Sequence, residues 1–538
     1  MGGGLRYQPV RREWAAWRRL GAISIAFLMV ACASRDTRVS DETDLVLADR
    51  LFSVGYQDIA YIYIAEVSAA TLALAGLGNL SSLDPDVSVT RNDDWVTIMV
   101  DGRPAGSFTA PDSHDAEGWG ELTASALRIG RSRSLELDEA KAEQIYEVIF
   151  DGVLSELDSF SRYAGRDEAR ENRASRDGFG GIGVRIRLID VGVRILSVME
   201  NTPAERSGLE DNDIIIEIDG ASTVDLSQRE VVRRLRGPLR SRVELTIRRE
   251  TDPADINIAV VRAHIVPQTV KYERHANIAV LRLTGFNQST TRTLREKLKF
   301  AASDIGAELS GFVLDLRGNP GGLLDQAVAV SDLFIGSGRI VSTHGRHPDS
   351  HQYFDADPDD LARRYPMVVL VNGNSASASE IVAAALQDSR RAVVVGTSSF
   401  GKGTVQTVLR LPNEGELTLT WARFYAPSGY GLNRRGVLPD LCTFGAELDA
   451  EDVLNRLRTG ILPIDRATQH KDIDPDDEAG IEALRNHCPA HQGDSVKDLE
   501  IARRLIENPE LFARALGSEG PDTARLEADQ SAIAPDPQ

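Results

Sequence analysis

The chain of 538 residues carries 61 Lys and Arg against 81 Asp and Glu, a formal net charge of −20. That length calls for several domains, each with enough apolar material for a core, and the acidic balance argues against a nucleic-acid partner while saying little about fold. Three cysteines are too few for a disulfide scaffold or a cysteine-rich zinc module.

Residues 1–33 read as an export signal. Arg6, Arg11, Arg12, Arg18 and Arg19 precede the apolar run LGAISIAFLMVA, which at about 1.5 Å per residue falls short of a bilayer core and so is not expected to persist as a span. Two endings fit. LMVAC resembles a bacterial lipoprotein box, with Met29 where leucine is usual, and makes Cys32 the acylated residue. Ala31-Cys32-Ala33 fits instead a small-x-small cleavage site that releases a soluble protein. The lipoprotein is the preferred expectation, and either ending puts the protein outside the cytoplasm, periplasmic in the lipoprotein reading. In an oxidising compartment Cys442 and Cys488 can pair as a disulfide, the alternative being two unpaired small apolar side chains.

Residues 34–165 are expected to form a mostly helical N-terminal region. ADRLFSVGYQDIAYIYIAEVSAATLALAGLGNL carries little charge and calls for a packing partner. A strand-like excursion from Val87 to Ala110 interrupts it, with Asp101-Gly102 as a hairpin signal, before helical periodicity resumes over Leu135 to Leu157. Short strands and two short helices follow over 172–252: GFGGIGVRIRL, NTPAERSGL, DIIIEIDG, SQREVVRRLRG and VELTIRRE. This pattern resembles a PDZ domain. In such a domain the successive N–H groups of Gly181, Ile182, Gly183 and Val184 hold a peptide carboxylate while the adjacent strand edge pairs with the peptide. Read without that context, Gly-x-Gly is an ordinary turn. Asp252 to Ile265 reads as a linker.

Over 262–442 the strands NIAVLRL and GFVLDLRG open a new domain, and the second ends in NPGGLL before a helical run, which exposes N–H groups at a helix start. Ser342 to Asp360 reads as a polar loop. His344, His347 and His351 lie close together there, but Pro348 breaks any helix, and neither a metal nor a cofactor is expected. MVVLV, bounded by Pro366 and Asn372-Gly373, is a buried-type strand, and a second strand covers Ala392 to Val395. Between them SASASEIVAAALQD starts a helix at Ser377. Ser-x-x-Glu before an apolar run is a capping box; a hydroxyl there also lies at the positive helix end, beside N–H groups able to stabilise an oxyanion. Gly401-Lys402-Gly403 brings an amine into a close-packed turn, and a desolvated lysine can serve as base to a serine hydroxyl. Gln406, four residues on, is able to hold that amine.

SASASEI, ALQD, FGKGTVQ, LTLTWARFYAPSGYGLNRRGVLPD and DLRGNPGGLL together resemble the C-terminal processing peptidases, also called tail-specific proteases, over roughly Leu135 to Asp440. The resemblance implies a multidomain α/β protein: a helical N-terminal region, a PDZ domain and a mixed α/β, ClpP/crotonase-like serine protease core. It implies Ser377 as nucleophile, Lys402 as general base and Gln406 as its orienting residue, with Ser375 and Ser379 structural. The amide of Ala378 and that of Gly321 or Gly322 would form the oxyanion hole. YEVIFDGVLSELDSFSRY resembles the segment before the PDZ domain, with Ser159-Phe160 departing from the usual Pro-His. Proteins or peptides with accessible C-termini would be the substrates, and a regulatory or adaptor protein is a possible partner. A non-catalytic PDZ adaptor and a cell-wall peptide amidase are the rival readings. Residues 443–516 read as a helical extension packed on the protease domain, and 517–538 as a disordered tail.

Overall fold

The computed structural model describes residues 47–517, apart from 359, 363, 446–447, 461–472 and 475–476. The export signal, Cys32 and the tail from 518 lie outside the described residues. The chain divides into two compact units, one running to Ala169 and including Gln406–Thr420, the other comprising Arg170–Val405 and the chain from Trp421.

In the first unit, helical residues 47–62 and the helices Ala69–Gly78, Ala116–Arg131 and Ala142–Leu154 bury one apolar core in which Phe52, Tyr56, Trp119 and Phe150 are inaccessible to solvent. Three antiparallel strands, Val87–Asn92, Trp95–Val100 and Arg103–Thr109, add a sheet. The last two turn on Asp101 and Gly102, with φ of 52° and 68°, the left-handed pair that a two-residue hairpin demands. Gln406–Thr420 joins this unit because Leu411, Leu417 and Leu419 complete its core.

The second unit opens with the expected small domain. Its sheet runs Ile256–Val261, Arg242–Arg248, Ile214–Ile218, Gly192–Val198, Val184–Ile189, antiparallel throughout, with Val184–Ile189 at the edge. The helix Gln228–Leu235 buries Val231 and Leu235 in the same core as Ile182. The linker expected over Asp252 to Ile265 is a pair of strands. Ile256–Val261 closes one side of the sheet, and Ala263–Ile265 pairs with Phe179–Gly181. Ile256, Ile258 and Val260 alternate toward the core, a short period-two signal masked by the polar residues before it.

The larger sheet has the order Val270–His275, Ile278–Leu283, Gly311–Asp315, Met367–Val371, Val393–Gly396, Leu441–Cys442, parallel except for the first pair. MVVLV is apolar throughout because both its faces are covered. Met367, Val369 and Val371 meet the helices Thr290–Ile305, Leu324–Asp332 and Ala378–Asp388. Val368 and Leu370 instead meet Leu454, Leu457, Ile501 and Leu505 of the C-terminal helices. The extension beyond residue 443 is thus the second helical layer of this sheet. The polar loop expected from Ser342 to Asp360 is largely a hairpin of Arg339–His344 with Gln352–Asp355. His344 packs there edge-on against His351 and Tyr353, at 5.2 and 5.4 Å between ring centres.

Candidate active site

The Met367–Val371 strand ends in a sharp turn that lifts Ser377 to the start of the Ala378–Asp388 helix. Ser377 adopts φ 56° and ψ −114°, a region L-residues occupy at a cost of order 1–3 kcal/mol and mostly at functional positions. Its flanking serines are tied down. Ser375 is fully buried and donates to the Leu316 carbonyl at 2.9 Å; Ser379 is equally buried and donates to the Asn319 carbonyl at 2.9 Å. Ser377 lies between them only partly buried. The expected capping box is present: Glu380 accepts the Ser377 N–H at 2.7 Å and the Ser377 side chain faces the Glu380 N–H, which also bonds the Ser377 carbonyl at 2.9 Å.

Glu380 does more than cap. Its Oε1 accepts the Ser399 hydroxyl and the Gly401 N–H, both at 2.6 Å, while Oε2 accepts the Ser377 N–H at 2.7 Å and the Lys402 N–H at 2.9 Å. The backbones of Ser377 and Lys402, distant in sequence, therefore meet on a single oxygen atom. The carboxyl is completely buried, and that burial pushes it above the usual carboxylate range while the four donors pull it back. Gly403 lets the lysine turn close, since a Cβ there would fall 1.8 Å from the Asn433 nitrogen.

The Asn-Pro-Gly-Gly turn lies against the same point. The Asn319 carbonyl accepts the Ala376 N–H at 3.0 Å, and a Cβ on Gly321 would fall 2.9 Å from both the Ser377 Cβ and the Ala378 nitrogen. The two glycines differ in one respect. The Gly321 N–H donates to Asn319 Oδ1 at 2.9 Å, whereas the N–H groups of Gly322 and Ala378 have no acceptor among the described residues.

Gln406 lies on the Thr404–Arg410 strand, in the segment that belongs to the first unit, and donates to Thr420 Oγ1 at 3.3 Å. Cys442 and Cys488 form a disulfide. In the smaller domain the Ile182 and Gly183 carbonyls accept from Ala204 and Met199 at 2.8 and 3.0 Å. The N–H groups of Ile182 and Gly183 donate to no described residue, and the neighbouring Val184–Ile189 strand is the open edge of its sheet.

Comparison with known proteins accords with this arrangement. The pattern of Peptidase family S41 matches residues 277–443, and that of the PDZ domain matches 194–249. A carboxy-terminal-processing protease of Bartonella bacilliformis is 42% identical over 301 residues, covering 56% of this chain and 69% of the relative. The chain belongs to the C-terminal processing peptidase family. A "Probable CtpA-like serine protease" of Staphylococcus haemolyticus is 33% identical over 302 residues, 56% of the peptidase and 60% of that relative. A solved photosystem II D1 C-terminal processing protease covers 73% of the peptidase and 92% of its own chain at 22% identity. Its TM-score is 0.37, and the sequence matches carry the assignment without it. The peptidase is thus a serine-type enzyme with a PDZ domain.

Two residues of the site escaped motif reading. Glu380 reads as a cap, although a lone carboxylate beside the apolar run IVAAAL signals burial with partners. Asn319 holds the glycine turn to the Ser377 turn, and nothing in NPGG announces it.

Proposed function

We propose that the peptidase captures the free C-termini of unstructured proteins in its PDZ domain and cleaves upstream of them, with Ser377 as nucleophile and Lys402 as general base. The observation that carries the dyad is the sharing of one Glu380 oxygen by the Ser377 and Lys402 amides, combined with the burial and bonding of both neighbouring serines. In this reading the uncharged Lys402 amine takes the Ser377 proton as the hydroxyl attacks the scissile carbonyl, and later returns it to the leaving amine. The Ala378 N–H and the uncommitted Gly322 N–H are the donors for the oxyanion, each worth about 3 kcal/mol of transition-state stabilisation. Gln406 is carried as the third member by resemblance alone.

For capture, the uncommitted Ile182 and Gly183 N–H groups receive the terminal carboxylate and the Val184–Ile189 edge accepts the peptide as an added strand. Amidating the C-terminus of a disordered substrate removes that anionic acceptor. The expected result is a KM raised about tenfold or more with little change in kcat; equal kcat/KM for acid and amide would exclude recognition of the terminus.

Among the described residues no helix is long and apolar enough to cross a membrane. The proposed attachment is by acylation of Cys32, on the outer side of the cytoplasmic membrane. Mass spectrometry of the processed chain is expected to find diacylglycerol on Cys32, and an unmodified N-terminus at or beyond Cys32 would refute the anchor.

A further inference from the structure

Glu380 receives its four hydrogen bonds from a hydroxyl and three backbone amides, so none of them balances its charge. A cation lies near it without pairing directly, and comes from outside the segment that the peptidase pattern matches. Arg485 ends the Glu478–Arg485 helix; its Nη2 donates to the Ser399 carbonyl at 2.8 Å and its Nη1 to the Arg435 carbonyl at 2.6 Å. A Cβ on Gly436 would lie 2.6 Å from Ser399 Oγ, 3.0 Å from Arg485 Nη1 and 3.1 Å from Glu380 Oε1. Hydroxyl, guanidinium and carboxylate therefore surround one point.

The chain that carries Arg485 is tied to both active-site loops. Cys488 is disulfide-bonded to Cys442 on the edge strand of the sheet, and its carbonyl accepts the Ser398 hydroxyl. The His491 carbonyl accepts the Gly373 N–H at 2.8 Å. The Gln492 carbonyl accepts the Asn372 and Asn374 side-chain amides at 3.0 and 3.2 Å. Residues 485–492 thus hold the loop leading to Ser377 on one side and the loop leading to Lys402 on the other.

We propose that Arg485 is a positioning residue for the Ser377–Lys402 pair, acting through Glu380 and Ser399, and that residues 485–492, fastened at Cys488, set the separation of the two loops. This inference rests on the Ser377–Lys402 reading given above. Its chemistry is simple: only an ionised Glu380 accepts all four donors, and a guanidinium beside it favours that ionised form against burial. Among the described residues the Tyr430 phenol also interacts electrostatically with Glu380, and Lys402 meets it through its backbone amide. Arg435 faces it less directly, its guanidinium lying 5.7 Å from the Tyr430 ring centre and donating to the Ile473 carbonyl.

The test compares the full processed chain with Arg485→Gln, Arg485→Lys and the double variant Cys442→Ser/Cys488→Ser, measuring kcat and KM against pH on a disordered protein substrate and folding by circular dichroism. Arg485→Gln is expected to lower kcat about 100-fold, leave KM within about twofold and move the acid limb of kcat to higher pH. Arg485→Lys restores the limb. The double variant, which keeps every charge, lowers kcat and leaves the limb in place. Wild-type kcat and limb in Arg485→Gln would overturn the role of Arg485, as would a loss of rate that tracks the unfolded fraction with an unmoved limb; wild-type kcat in the double variant would overturn the fastening. If Lys402→Ala retains activity the dyad reading itself fails. If Lys402→Ala is inactive while Arg485→Gln behaves as wild type, only the present inference fails.

Discussion

Ser377→Ala is expected to lower amide-bond cleavage of a disordered protein by about a million-fold, with Lys402→Ala close behind, because removing either member of a nucleophile–base pair disables the unit. The magnitude separates this outcome from a structural role. Ser377 is partly exposed and its hydroxyl takes part only in the capping box, so the alanine variant is expected to lose about 1 kcal/mol of stability, too little for unfolding to account for the lost rate. Ser375→Ala and Ser379→Ala reverse the pattern: Ser379→Ala removes one buried hydrogen bond at an expected cost of about 1 kcal/mol, Ser375→Ala also leaves the buried Asn372 N–H without its acceptor at about 1–3 kcal/mol, and both retain catalysis. Lys402→Arg is a sharper probe than alanine, since a guanidinium keeps the positive charge but does not deprotonate. Activity of the wild type is expected to rise with pH along the limb on which the Lys402 amine loses its proton, since only the uncharged amine can accept the Ser377 proton. A pH-independent rate, or cleavage surviving in Ser377→Ala, would refute the dyad and favour an adaptor that recruits tails for another protease.

The second large effect is expected at Glu380. Glu380→Gln replaces one acceptor oxygen with an NH2 that faces existing donors, leaving at least one buried N–H unsatisfied at about 1–3 kcal/mol and spreading the Ser377 and Lys402 loops. A 100-fold loss of kcat with a lowered unfolding midpoint is expected, since small misplacements of reacting groups carry such penalties. Wild-type kcat in this variant would show that the shared carboxylate does not organise the pair. The pH dependence of stability has a definite sign. Burial raises the folded-state value above the ordinary 4.5, so over the pH window between the two the folded chain holds a proton the unfolded chain has lost. The contribution of this group is then fully present below about 4.5 and declines as pH rises through the folded value. Catalysis moves the opposite way across the same window, since the ionised form gathers the loops. Urea unfolding midpoints measured from pH 4 upward should lose this component of their slope in Glu380→Gln.

Much of the architecture was legible because its signals are local. MVVLV between a proline and Asn-Gly specified a strand covered on both faces, Ser377 followed by an alanine-rich run specified a helix start, and Asp101-Gly102 specified a hairpin; each follows from the apolar period or turn chemistry of a few adjacent residues. The motifs around Ser377, Lys402 and the glycine pair likewise named the candidate chemistry without any coordinate. What lay beyond reading depended on partners far along the chain. No local pattern announces that Ile256–Val261 closes a sheet, that Gln406–Thr420 completes the core of the first unit, or that the helices after residue 443 form the second layer over Val368 and Leu370. Nor does any motif reveal that the Gly321 N–H is engaged by Asn319 while that of Gly322 is not, or that Arg485 stands beside Glu380. The sequence by itself determined the elements with strong local signals and named the candidate side chains, since periodicity and turn preference act within a few residues. Only the tertiary structure decided which loops converge on one carboxylate, because a buried acceptor takes whichever donors packing delivers to it.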